Sequence, residues 1–187
     1  MNEPLQQRWY HGITRYQWFV LFIASAGWAF DIFEGQIFVA SMREAMPALL
    51  GVNADSPLVG KWNDWAFGSF LLGGAFGGVF FGVLSDRIGR SKTMVITILF
   101  YSLFTCVTAF AQTPSQMVGI RFLVAMGVGG EWAVASAMVA EVMPQRSRPI
   151  MSSIFHASSV FGTLMATAVG ATVVGNPNLG EAAWRWG

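Results

Sequence analysis

The chain has 187 residues, 54% of them hydrophobic and 11% charged, with a formal net charge of +1. Soluble domains carry about 25% charged residues, and the apolar excess here falls in several long runs, so the composition points to a polytopic membrane protein. The even charge balance implies no nucleic acid or other acidic polymer as a partner, and the single Cys106 excludes an internal disulfide.

Residues 1–16 read as a polar arm with Arg8, Trp9, Tyr10, Arg15 and Tyr16, whose aromatics suit a membrane interface. They do not read as a signal peptide. Glu3 interrupts the basic end, and the apolar run that follows has 24 residues, too long for an h-region of about 7–15 residues. That run, 17–40, is the first expected span. It contains Asp31 and Glu34, three positions apart and so on one helix face, with Trp28 on the same stripe. Two acids facing lipid would be very costly, so this face must line a cavity or meet another helix.

Residues 41–64 read as the longest loop, within which 41–50 could continue helically outside the lipid. The second span, 65–84, is uncharged and carries Gly74, Gly78 and Gly82 at four-residue intervals, a small-residue seam for close helix packing. The run 82–92, GVLSDRIGRSK, is a short hydrophilic hinge before the third span, 93–111, which also lacks charge and reads as a peripheral helix without special chemistry. Residues 112–115 form a tight turn. The fourth span, 116–141, carries Arg121, Glu131 and, at its end, Glu141. Residues 142–149 form a loop. The fifth span, 150–174, holds His156 and a stripe of Gly162, Ala166 and Gly170. The remainder, 175–187, reads as an outer loop ending in interfacial Trp184 and Trp186.

Basic residues sort by side. Arg8, Arg15, Arg87, Arg90, Lys92, Arg146 and Arg148, seven in all, fall on one side, against Arg43, Lys61 and Arg185, three, on the other. The excess marks the cytoplasmic face, which puts the amino terminus inside.

Three motifs carry a family resemblance. G-x-x-x-D-R-x-G-R-x-K, with Gly82, Asp86, Arg87, Gly89, Arg90 and Lys92, resembles the signature loop between helices 2 and 3 of the major facilitator superfamily. Arg121 followed by the Gly-rich stretch to Glu131 resembles helix 4 of the same superfamily, and GGEW at 129–132 is similar to proton-coupled metabolite, sialate and lactate symporters. Glu141, Pro144 and Arg148 fit E-x-x-P-x-x-x-R, which resembles the helix 4–5 loop of sugar porters, although Pro149 stands where those usually have Gly. The fifth span has no internal proline, so the Gly-Pro motif of drug–proton antiporters is absent. The resemblance implies an all-α membrane protein of five transmembrane helices plus the start of a sixth, the N-terminal half-bundle of a twelve-helix facilitator fold. It further implies a bacterial inner-membrane location, a missing C-terminal half as partner, and no cofactor. A half alone is not expected to transport, because alternating access needs two halves rocking about one site. In the family the signature loop grips the other half, so Asp86 and Arg90 are expected to be under-satisfied within these five helices.

Within the family, helices 1 and 4 line the central cavity, and this chain places its intramembrane charges there. Asp31 and Glu34 lie roughly 13 and 9 Å from the outer end of the first span, and Arg121 roughly 9 Å from that of the fourth. The three are therefore expected to be level, with Glu131 roughly 15 Å deeper and turned about 80° from Arg121. Three acids face one arginine. One acid would pair with it, and the others, in low dielectric, would tend to hold protons. Arg121 could instead grip an anionic substrate through a bidentate pair. The plainer readings are an Asp31–Arg121 latch, a Glu131 that only accepts a hydrogen bond, a core His156, and Trp28 and Trp132 as packing.

The expected function is proton-coupled symport of a small organic metabolite such as a carboxylate. A sugar or polyol symporter is the alternative, and a truncated half that acts only as a subunit is another. A membrane enzyme is disfavoured, since no span carries paired His, a Ser-His spacing or a metal-ligand cluster.

Overall fold

The computed structural model describes residues 9–174 and Trp184. Six α-helices follow in order: α1 (Arg15–Leu50), α2 (Pro57–Ile88), α3 (Arg90–Thr108), α4 (Pro114–Val142), α5 (Arg148–Ala157) and α6 (Ser159–Val169), the last running into a π-helical turn at Gly170–Val174. α5 and α6 act as one membrane segment, so five segments are long and apolar enough to span a bilayer. The expected start of a sixth helix falls outside the described residues, apart from Trp184.

Local signals set the helix ends. Thr14 caps α1 reciprocally with Gln17, and Gly51, at φ 64°, takes the left-handed conformation that closes it. Ser56 and Thr113 cap α2 and α4, each followed by proline at the first helical position, where its missing N–H is not needed.

The helices overrun the apolar windows. α1 has 36 residues and α2 has 32, roughly 54 and 48 Å, whereas the hydrocarbon core is about 30 Å thick. Residues 41–50 do continue α1 helically, and the expected 41–64 loop shrinks to 51–56. The hydrophilic hinge shrinks further. Residues 82–88 belong to α2, and the turn into α3 is Gly89 alone, at φ 96°. Only glycine reaches that conformation without strain.

Many large apolar side chains are outward-facing, among them Phe22, Leu72, Val79 and Phe161, each about two-thirds or more exposed. Patches of that extent suit a hydrocarbon solvent, not water. Inside, α4 is the central helix. It packs most closely on α2 through glycines: a Cβ at Gly73 would overlap the Phe122 carbonyl, and one at Gly77 the Met126 carbonyl. Facing them, a Cβ at Gly129 would overlap Gly74. The expected seam thus holds at Gly74 and Gly78, which meet the backbone of Ala125 and Gly129, is widened by Gly73 and Gly77, and stops short of Gly82, where nothing lies within 4 Å. The stripe on the fifth segment meets α1, where Gly162 rests against Ala29 and Gly170 lies near Ala40.

Two apolar clusters result. One gathers Leu21, Phe81, Met94, Met138, Met151 and Phe155, and the other Phe38, Met42, Met46, Met117 and Trp184. Trp184, expected at the interface, is 5% exposed and packed within the second cluster, while Trp186 lies outside the described residues. The charged stretch of α1, Asp31 and Glu34, lies along the helix between the residues of the two clusters.

Candidate functional site

Asp31 and Glu34 on α1, and Arg121 and Glu131 on α4, are all buried. They sort into two groups. Glu34 Oε1 accepts from Arg121 Nη1 at 2.5 Å, and the guanidinium carbon lies 4.2 Å from the centre of the Phe38 ring. The expected Asp31–Arg121 latch is thus replaced by Glu34–Arg121. Glu34 is one helical turn nearer the end of α1 that meets the start of α4, so it takes the arginine first. Arg121 uses one nitrogen for this pair, and its Nε has no partner. A cavity of about 350 Å³ opens beside the pair, bounded by Ile37, Ser41, Thr105, Met117 and Trp184.

The second group contains no cation among the described residues. Glu131 is fully buried and lies against α1 where Gly27 leaves room; a Cβ at Gly27 would overlap Glu131 Oε1. Asp31, one turn along from Gly27, interacts with Glu131 and with Tyr101 of α3. Among the described residues, no group meets hydrogen-bond geometry with any of the four carboxylate oxygens of Asp31 and Glu131. Tyr101 is not evident from the sequence, where its helix reads as inert. The available signal is a lone phenol in an uncharged span, and Gly127 admits it, since a Cβ there would meet the Tyr101 side chain. Among the described residues, no three His, Cys, Asp or Glu side chains converge to hold a metal ion.

Beside this pair stands an aromatic group. The Trp28 ring centre is 6.4 Å from that of Trp132, 6.4 Å from His156 and 6.1 Å from Phe155. Trp28, Trp132 and His156 therefore belong together, although they lie on three different segments. Trp28 Nε1 is buried without a partner. His156 Nδ1 bonds the Ser152 carbonyl at 2.8 Å.

At the other end of α4 the two loop motifs join. Arg90 Nη2 lies 2.8 Å from Asp86 and 2.7 Å from Glu141, and Arg90 Nη1 also donates to Ser85 Oγ. The expected under-satisfaction of the signature loop is not found. Asp86 and Arg90 are paired inside the five segments, and that ground for a missing partner falls away. Arg87 and Lys92 remain exposed. In the adjoining loop, the Pro144 carbonyl accepts from the Ser147 and Arg148 amides, while Arg148 Nε is buried without a partner. The loop is also tied to the start of the chain: Gln17 Nε2 donates to the Val142 carbonyl at 2.8 Å, and Ser147 Oγ to that of Trp9.

Comparison with known proteins gives the family. The sugar (and other) transporter family matches residues 17–187. The "Probable 4-methylmuconolactone transporter" of Cupriavidus pinatubonensis is 33% identical over 95% of this chain and 40% of its own length. An inner membrane metabolite transport protein of Escherichia coli is 35% identical over 64% of this chain and 26% of its own. The niacin transporter of Acinetobacter baylyi is 30% identical over 87% of this chain and 35% of its own. The chain thus spans about 40% or less of the length of these relatives. A multi-pass helical membrane protein with the signature loop between its second and third segments and a match along nearly its whole length, the chain belongs to the sugar (and other) transporter family of the major facilitator superfamily.

Proposed function

We propose that this chain forms the first half of a proton-coupled carrier of a small organic acid, working with a second half-bundle across a shared cavity. The observation that carries the reading is the buried Asp31–Glu131 pair, which has no cation paired with it among the described residues. Two adjacent carboxylates in low dielectric repel strongly, and a proton held between them removes the repulsion. Loading and releasing that proton is the step a symporter must couple to its cargo. Arg121 supports the anionic cargo, because its buried Nε has no partner among the described residues and an incoming carboxylate would satisfy it. Relatives named for 4-methylmuconolactone and niacin fit an acid better than the sugar or polyol the family also covers. The Asp86–Arg90–Glu141 network, joining α2, α3 and α4, acts as the inner gate, its Arg87 and Lys92 free to engage the second half.

Arg121→Lys keeps the charge and loses the planar fork. In a full-length transporter carrying this chain, it is expected to weaken carboxylate binding by roughly ten- to a hundredfold, the worth of one charge-assisted hydrogen bond. Competition of unlabelled acids against labelled uptake measures this. Wild-type affinity in the lysine variant would reduce Arg121 to a latch on Glu34.

The proposed orientation puts the amino terminus and Arg90 inside. Cysteine at Asn53 is expected to react with an impermeant maleimide in intact cells, and cysteine at Ser91 only after permeabilisation. The opposite pattern reverses the topology.

A further inference from the structure

We propose that Trp28, Trp132 and His156 form a seat for a planar, unsaturated ring on the transported molecule. This deepens the carrier reading above and rests on it. The three rings come from α1, α4 and α5, and their centres form a nearly equilateral triangle with sides of 6.3–6.4 Å. They are tilted by 47°, 66° and 76° to one another, so none covers another face to face. Trp132, 42% exposed, can therefore offer its ring to a fourth one, in the offset or edge-on arrangements that aromatic pairs favour. Phe155, fully buried, packs against Trp28 and His156 as a floor.

Two of the three rings, Trp132 and His156, are exposed, while Trp28 is half-buried. α4 is the most buried of the five membrane segments, and Glu131, the neighbour of Trp132, is fully buried. Yet Trp132 is 42% exposed on that central helix, and His156 is exposed across from it.

His156 adds an edge. The Ser152 carbonyl can only accept, so the proton of the neutral imidazole sits on Nδ1. Nε2 then presents a lone pair beside the triangle. A ring bearing a hydroxyl or N–H would meet that acceptor while its face rests on Trp132. The seat adjoins the carboxyl pair in sequence on both helices, through Trp28–Asp31 and Glu131–Trp132.

The test compares three probes by titration calorimetry on the full-length protein in nanodiscs. Benzoate and cyclohexanecarboxylate share charge and approximate size, but only benzoate is planar and unsaturated; benzamide keeps the ring without the charge. Benzoate is expected to bind about tenfold more tightly than cyclohexanecarboxylate. Trp132→Leu is expected to erase that preference and Trp132→Phe to retain it. Equal binding of the two acids by the native protein overturns the ring seat and leaves the acid reading standing, an outcome that needs no variant. A preference that survives Trp132→Leu also overturns the seat. Benzamide binding that depends on Trp132, with neither acid bound, keeps the seat and removes the acid reading. Binding of none of the three removes both.

Discussion

Asp31→Asn or Glu131→Gln, in a full-length transporter carrying this chain, is expected to abolish accumulation driven by a pH gradient while exchange of bound substrate continues. Accumulation moves protons with the cargo, and each coupled proton is worth about tenfold in concentration ratio per pH unit. Exchange needs only that the loaded carrier reorient. Either amide keeps the shape of the side chain and removes one site for the shared proton. On the proposal that Asp31 and Glu131 share one proton, the double variant is expected to be no worse than either single one. Tyr101→Phe, which removes only the neighbouring hydroxyl, should shift the pH profile of uptake and keep accumulation. Counterflow measured beside pH-driven uptake decides the matter. Full accumulation in both single variants makes these carboxyls structural.

Gly77→Val is expected to be the most destabilising single change in the bundle. Any Cβ at Gly77 overlaps the Met126 carbonyl, and backbone cannot swing aside as a flexible side chain can. α2 and α4 must separate, which costs at least about 2–3 kcal/mol. Gly82→Val is the control, because nothing lies within 4 Å of a Cβ there. Thermal unfolding in detergent, followed by size-exclusion profiles, should show a large loss for Gly77→Val and little for Gly82→Val. Similar melting of the two variants would mean that the helices do not meet as closely as the glycine contacts require.

That pair of glycines also shows what the sequence can say. Apolar runs reveal membrane segments because hydrocarbon demands them, and all five are legible. The seam is legible as a pattern of small residues but not in its width or in where it ends. Paired glycines at 73–74 and 77–78 offer two stripes one residue apart, and only the neighbouring helix shows that both are used. The partner of Arg121 is hidden for a similar reason. Asp31 and Glu34 differ by about 4.5 Å in depth, less than the uncertainty in where a span ends. Helix extensions beyond the lipid are harder still, since residues 57–64 carry Lys61 and Asp64 and read as loop, although Ser56–Pro57 spells a helix start. Tyr101 acquires meaning only from Asp31 and Glu131, which the fold brings from two other helices.

Arg90 has a consequence for how the protein is made. Its carboxylate partner Glu141 comes 51 residues later in the chain. While the second and third segments enter the bilayer, α4 does not yet exist, so the strongest of its later contacts is absent. At that stage Arg90 counts among the cations that hold this loop in the cytoplasm, in the orientation proposed above, and acids weigh little in that decision. Once α4 arrives, the same guanidinium joins Asp86 and Glu141 and its charge is spent within the fold. One residue thus serves as an address during synthesis and as a fastening afterwards. Glu141→Gln should accordingly leave membrane orientation untouched, whereas loss of Arg90 touches both stages.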